Sequence, residues 1–323
     1  TSLFFIIITI YLYLNEHIGV IYCLIPLSIY AMRRYTIMYA MANRLNEYKI
    51  IRNNLILVAI LQATLSFLFG VYGINEGLIY AYIIANIYSA YGINKKIKIN
   101  KKISLKHAIL VFRRYKNYTI SLIMSSLLER LSSQGIIIFL PTQFENEKVG
   151  YFSMYKKVIA LPNRLIGKSI GDVFKAKMGK KIEKKESIDK DLIIILRNLV
   201  LISLVPFIVL NNYGEEIFRV LLGEQWATAG EYAEMMSWIY LLGSIVSPIS
   251  GLLYLYERPQ YDLYTQLLLG IGMLLIIATV TINDMNMKEF IELYVLIYIS
   301  KYVLEIALTY HVVIKESDKL MNR

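Results

Sequence analysis

The stretch NKKIKINKKISLKHAILVFRRYK, residues 94–116, sets nine lysines and arginines between two apolar stretches, 77–94 and 118–140. On either side of it, apolar stretches recur at about 1–14, 18–40, 53–72, 148–174, 191–210, 230–256, 261–282 and 289–314. Most approach the roughly 20 residues that carry an α-helix across a bilayer. The connections between them fall into two alternating sets. Residues 33–52, 95–116, 175–190, 257–260 and 315–323 hold 25 of the 35 basic residues. The alternate connections, 15–17, 73–76, 141–147, 211–229 and 283–288, hold only Arg219 and Lys288. Multi-pass proteins keep lysine and arginine in their cytoplasmic loops. The chain therefore reads as an all-α polytopic membrane protein of about ten transmembrane helices, with both termini expected in the cytoplasm.

Composition agrees. Of 323 residues, 57% are hydrophobic and 18% charged, against about a quarter charged in soluble domains, and the mean hydropathy is +0.50. The net charge of +11 would suggest nucleic acid in a soluble protein. Here the cations lie in loops beside anionic headgroups, so membrane lipids, and no nucleic acid, are the expected partners. One cysteine, Cys23, and histidines at 17, 107 and 311 leave neither a disulfide framework nor a metal cluster to expect. Heavy use of Ile, Lys, Asn and Tyr fits an AT-rich bacterial genome, and nothing functional rests on it. The chain opens at Thr1 within an apolar run, without Met or a basic n-region, and is expected to be truncated rather than to carry a signal peptide. The basic connection at 95–116 divides it into an N-terminal lobe, 1–105, of four spans and a C-terminal lobe, 106–323, of six. The segment Lys175–Lys190 is expected to be a solvated, charge-mixed connection, and the outer connections form no separate domain. Enzymes that polymerise or transfer sugars in membranes need a large polar loop to hold reacting groups in water. Short outer connections favour a transporter.

Eight basic residues fall inside the spans, six of them in the two consecutive spans 118–140 and 148–174. The segment KVGYFSMYKKVIALPNRLIGKSIGDVFK, residues 148–175, is too cationic to face lipid. The steps from Lys157 to Arg164, on to Lys168 and on to Lys175 are each close to a whole number of helical turns, which makes one cationic stripe. A charge in mid-bilayer lipid costs about 2.5–3.5 kcal/mol on insertion scales, so Lys157, Arg164 and Lys168 are expected to line a water-filled or protein-lined interior. Lys156 and Lys175 are expected to snorkel from the span ends. Pro162 lacks an amide proton and its ring crowds the preceding turn, so it is expected to kink the helix and act as a hinge. The span before it carries Ser126, Glu129, Arg130 and Ser133 on one polar face. Arg130 is expected to join the cationic stripe, and Glu129 is either a structural acid or a coupling acid that carries a proton. Lys301 and Glu305, four apart in the last span, read as an intrahelical ion pair, and Arg197 as a snorkelling residue. Gly167 and Gly171 form a Gly-x-x-x-Gly spacing that permits close helix approach. Ser247-Pro248 is expected to break the span 230–256.

These residues carry a resemblance. The run Gly150-Tyr-Phe-Ser-Met-Tyr-Lys-Lys157-Val-Ile-Ala-Leu-Pro162, continued by Leu165-Ile166-Gly167 to Gly171-Asp-Val-Phe174, resembles the eighth helix of bacterial polysaccharide flippases. These are the O-antigen and capsule lipid-carrier transporters of the multidrug/oligosaccharidyl-lipid/polysaccharide superfamily. Arg44-Leu45-Asn46-Glu47-Tyr48-Lys49 is similar to the loop before the family's fifth helix. Leu222-Gly223-Glu224-Gln225-Trp226 through Gly230-Glu231-Tyr232-Ala233, running on to Ser247-Pro248-Ile-Ser250, resembles the entry to its tenth. The motifs are degenerate, but they come in the family's order and span nearly the whole chain.

The resemblance implies helices three to twelve of a twelve-helix, two-lobe transporter that works by alternating access. It implies an undecaprenyl-pyrophosphate-linked oligosaccharide as substrate, other polysaccharide assembly proteins as partners, no cofactor beyond an ion gradient of H+ or Na+, and no enzymatic step. Lys157 falls where the family often carries a basic residue. For Arg130, Arg164 and Lys168 the resemblance supplies only the helix. A multidrug exporter of the same superfamily and, among enzymes, a membrane polysaccharide polymerase are the alternatives. A cationic stripe disfavours the first, and the missing large outer loop disfavours the second.

Overall fold

A computed structural model describes residues 25–45, 47–74, 76–96 and 105–321. All regular structure among these residues is helical, and the chain is an all-α polytopic membrane protein. The expected span at 1–14 lies outside the described residues. The chain divides into two compact units, Thr1–Ser104 and Leu105–Arg323.

Among the described residues of the first unit the helices are α1 (Ile25–Arg44), α2 (Tyr48–Val71) and α3 (Gly77–Lys96). Met38, Ala42, Ile51 and Ile93 form its core. One polar clasp crosses from α2 to α3. Asn54 donates to the Ser89 carbonyl at 3.1 Å, and Ser89 Oγ donates back to Asn54 Oδ1 at 2.8 Å. The clasp satisfies both side chains away from water, where an unpaired polar group is costly. The apolar stretch of α2 is uncovered, with only 6% of its residues buried. Such a surface fits a hydrocarbon solvent.

The second unit comprises α4 (Leu105–Arg114), α5 (Lys116–Phe139), α6 (Asn146–Glu183), α7 (Asp189–Leu222), α8 (Ala227–Met235), α9 (Ser237–Ile249), α10 (Gly251–Leu255), α11 (Pro259–Ile282) and α12 (Met287–Met321). Among the described residues five helical segments are long and apolar enough to cross a membrane: Tyr48–Val71, Lys116–Thr142, Asp189–Leu222, Ser237–Leu255 and Pro259–Ile282. Helices α6 and α12 are longer still, with 38 and 35 residues, or roughly 50–60 Å at about 1.5 Å per residue. Charge recurs along the whole of α6, whereas residues 293–310 of α12 hold only Lys301 and Glu305.

Several connections differ from the sequence expectation. The segment 175–190 is mostly helix, because α6 runs on to Glu183 and α7 begins at Asp189. The segment 211–229 is also mostly helical, but not as one continuous helix: α7 kinks at Tyr213, where φ is −135° and ψ 21°, and is followed by a 3-10 turn at Glu224–Trp226 and the start of α8. At 175–183 helix propagation satisfies the backbone at little cost once a packed helix is under way. Helix α9 continues through Pro248 and stops at Ser250, so the span 230–256 is interrupted near Met236 and Ser250 rather than at Ser247-Pro248. The start of α12 follows from a capping box. Asn286 Oδ1 accepts from the Lys288 and Glu289 amides, and Glu289 Oε2 accepts from the Asn286 amide at 2.9 Å.

Missing side chains fix two crossings. A Cβ on Gly171 of α6 would lie 3.2 Å from Pro248 Cα of α9, and one on Gly167 would lie 3.0 Å from Ser247 Oγ. The Gly-x-x-x-Gly spacing therefore seats α6 against Ser247-Pro248. Where α7 meets α8, a Cβ on Gly230 would lie 2.5 Å from the Gly214 carbonyl oxygen. Between these crossings the core of the unit is built on Phe152, Phe218, Phe290, Met178 and Met236, all fully buried.

Candidate functional site

Helices α5, α9, α10, α11 and α12 line a partly open polar cavity of about 270 Å³. Glu129 reaches it from α5, Asp262 and Gln266 from α11, and Lys301 and Glu305 from α12; Tyr254 of α10 lines one wall. Asp262, Gln266, Lys301 and Glu305 are all buried. Three carboxylates thus meet a single ammonium, a formal balance of −2 when all are ionised.

Each group but one has a partner. Lys301 Nζ is hydrogen-bonded to Glu305 Oε2, one turn along α12, and lies 4.5 Å from the centre of the Tyr302 ring. The i,i+4 spacing on a helix brings the pair together. Asp262 Oδ2 accepts from Ser125 Oγ of α5 and, at 2.9 Å, from Tyr254 OH. Its Oδ1 accepts a long 3.4 Å bond from Gln266 Nε2. The carboxamide oxygen of Gln266 is buried and has no partner. Among the described residues Glu129 has neither a hydrogen-bond nor an ion-pair partner, and it opens directly onto the cavity. The unmet groups, Glu129 and the Gln266 oxygen, are both acceptors. The cavity is consequently suited to a proton or another small donor. Among the described residues no three His, Cys, Asp or Glu are placed to hold a metal ion.

The structure distributes the sequence-derived site residues unevenly. Glu129 and its neighbour Arg130 are both exposed, but only Glu129 lines the cavity. The reason is that consecutive helical residues point more than a quarter turn apart. Lys157 is exposed on α6, away from the cavity lining. Helix α6 passes through positions 162, 164 and 168, but the side chains of Pro162, Arg164 and Lys168 lie outside the described set. Lys156 does not snorkel: it is part-buried and donates to the Ser133 carbonyl of α5 at 2.9 Å, 5.6 Å from the Phe152 ring centre. Lys301 and Glu305 form the expected pair, but the pair faces other charges rather than closing on itself.

Asp262, Gln266 and Tyr254 were not among the site residues expected from the sequence. Asp262 stands three residues into α11, just after Glu257-Arg258-Pro259, where it resembles an interfacial acid favoured by a helix N-terminus. The usable signal was the i,i+4 spacing of Asp262 and Gln266, which puts two polar groups on one face of an otherwise apolar helix.

A family model described as polysaccharide biosynthesis protein matches residues 3–231. The match takes in Glu129, Arg130 and the whole of α6, and ends before α9 to α12. No curated protein and no solved structure gives a significant match.

Proposed function

The chain belongs to the polysaccharide biosynthesis protein family, and from that premise we propose that it is a flippase. Its cargo on this reading is an undecaprenyl-pyrophosphate-linked oligosaccharide repeat unit, carried from the inner to the outer leaflet of the bacterial cytoplasmic membrane for surface polysaccharide such as O-antigen. The observation that carries the reading is the cluster of Glu129, Asp262, Lys301 and Glu305 inside a bundle of membrane-length helices. Ionisable groups held at membrane depth are costly and mark transport pathways or proton relays.

The two units act as the two lobes of an alternating-access transporter, and the basic connections and both ends of this chain face the cytoplasm. Lys157, Arg164, Lys168 and Arg130 replace the hydration shell of the pyrophosphate, and Pro162 lets α6 bend as the path opens to either side. Glu129 exchanges the coupling ion, a proton or sodium, with Lys301 and Glu305 as its electrostatic neighbours. Other assembly proteins make the repeat unit and consume it. No bond is made or broken, so the protein is a transporter and not an enzyme.

The test is the leaflet in which repeat units accumulate when the gene is deleted. A flippase leaves them in the inner leaflet. Accumulation in the outer leaflet, as for a polymerase, or wild-type surface glycan together with lost drug efflux, as for an exporter, overturns the reading.

A further inference from the structure

Behind the cationic stripe, between the basic end of α6 and the start of α7, lies an open groove of about 530 Å³. Val173 and Phe174 of α6 and Ile194 and Ile195 of α7 form its apolar floor, and Lys177 and Asp191 stand at its mouth. From Lys177 to Ile170, and from Asp191 to Asn198, the groove follows each helix for seven residues, about 10 Å. It therefore runs from the charged end of both helices into their apolar stretch, along the path an acyl chain takes below its headgroup.

The mouth is cationic. Over residues 175–191 seven lysines stand against four acids, a net +3. Asp191 serves two ammoniums at once, Lys181 at 2.6 Å and Lys177 at 3.9 Å. One carboxylate between two lysines leaves a single positive charge over, and the Lys177 side chain, 66% exposed, is the one free to turn. One surplus charge matches one phosphodiester. Along α6, Val173 and Lys177 each fall about half a turn out of phase with Lys157, on the side away from the stripe. A ligand in the groove would not compete with one on the stripe.

We propose that this groove holds one acyl chain of an anionic phospholipid, with its phosphodiester on Lys177, as a resident lipid wedged between α6 and α7. Basic pockets between helices at the cytoplasmic face are a recurrent way of holding acidic lipids. The lipid covers Val173, which is otherwise 71% exposed, and ties the end of α6 to the first turns of α7. The inference depends on the chain spanning a membrane and not on which cargo it carries, so it survives if the flippase reading fails.

Native mass spectrometry of the full chain, released from vesicles of phosphatidylcholine with or without phosphatidylglycerol, tests it. The wild type is expected to retain one phosphatidylglycerol and no phosphatidylcholine. Lys177→Ala is expected to cut that retention about tenfold by removing the head contact, and Val173→Trp to do the same by filling the groove. Should Val173→Trp fail to fold, phosphatidylglycerol with a photoreactive acyl chain is expected to label the segments 170–178 and 191–198 of the wild type. Equal retention of both lipids, retention unchanged by Lys177→Ala, or labelling elsewhere overturns the proposal. So does displacement of phosphatidylglycerol by added polyprenyl pyrophosphate, which would assign the groove to the carrier lipid instead.

Discussion

Tyr254 of α10 donates a 2.9 Å hydrogen bond to Oδ2 of Asp262 on α11, across the Glu257-Arg258 turn. The same oxygen accepts from Ser125 of α5, so one carboxylate ties three helices together at the floor of the cavity. Tyr254→Phe removes one donor and leaves a buried charge short of a partner, a loss of about 1–3 kcal/mol. Thermal unfolding of the purified protein is expected at a lower temperature for Tyr254→Phe, and lower again for Tyr254→Phe with Ser125→Ala. An unchanged midpoint in the double variant would show that Asp262 is not held by these hydroxyls.

The Lys301–Glu305 pair gives a sharper contrast. Both side chains are under a tenth exposed, and removing one member of a buried pair strands the other, at a cost of about 3–5 kcal/mol. Lys301→Met alone should therefore express poorly, while Lys301→Met with Glu305→Gln should recover stability. If the pair also serves transport, the double variant will remain inactive in surface-polysaccharide complementation despite normal expression. Full complementation would reduce the pair to a structural role.

Glu129→Gln separates coupling from binding. The carboxamide keeps the size and polarity of Glu129 but cannot exchange a proton. Transport by the variant in proteoliposomes is expected to lose its dependence on an imposed proton or sodium gradient, with thermal stability unchanged. A variant still driven by either gradient would place coupling elsewhere.

The crossing of α7 and α8 tolerates no side chain. A Cβ at Gly230 would stand 2.5 Å from both Glu215 Cα and the Gly214 carbonyl oxygen, and these are backbone atoms that cannot swing aside. Gly230→Ala is expected to destabilise the second unit by about 1–3 kcal/mol, read as a lower yield of folded protein. Gly150→Ala, where no atom lies within 4 Å of the added carbon, is the control and should stabilise slightly through its helix propensity.

Near the end of α12, Glu316 receives hydrogen bonds from Arg258, at 2.9 Å, and Lys319, at 3.0 Å. Burial alone would raise its carboxyl, but these bonds and the two positive charges outweigh burial and hold it below the ordinary value of 4.5. A carboxyl that releases its proton more readily folded than unfolded stabilises the fold above that ordinary value. The contribution disappears as the pH falls through the lower folded value. Glu316→Gln is expected to lower the unfolding temperature at pH 7 and to flatten its decline between pH 5 and pH 3. An acid limb identical to that of the wild type would refute the assignment.

How much of this was legible beforehand depended on whether the signal was local. Glu129 was recognisable because Ser126, Glu129 and Ser133 recur at helical spacing along one segment. The Lys301–Glu305 pair was recognisable for the same reason. Asp262 was not, since its partners Ser125 and Tyr254 come from other helices and its own position near a charged turn has an ordinary explanation. Lys156 was misread because its carbonyl partner, Ser133, lies in the preceding helix, and nothing in residues 148–175 indicates it.

By itself, then, the sequence determined that the chain is helical and membrane-spanning. Hydrophobic length and the periodicity of charge belong to each segment alone, and the bilayer reads them one helix at a time. Only the tertiary structure decided that Glu129, Asp262 and Glu305, from three helices, would share one cavity with one lysine. Helix packing chooses those neighbours through close approaches such as Gly171 on Pro248, and no single segment carries that choice.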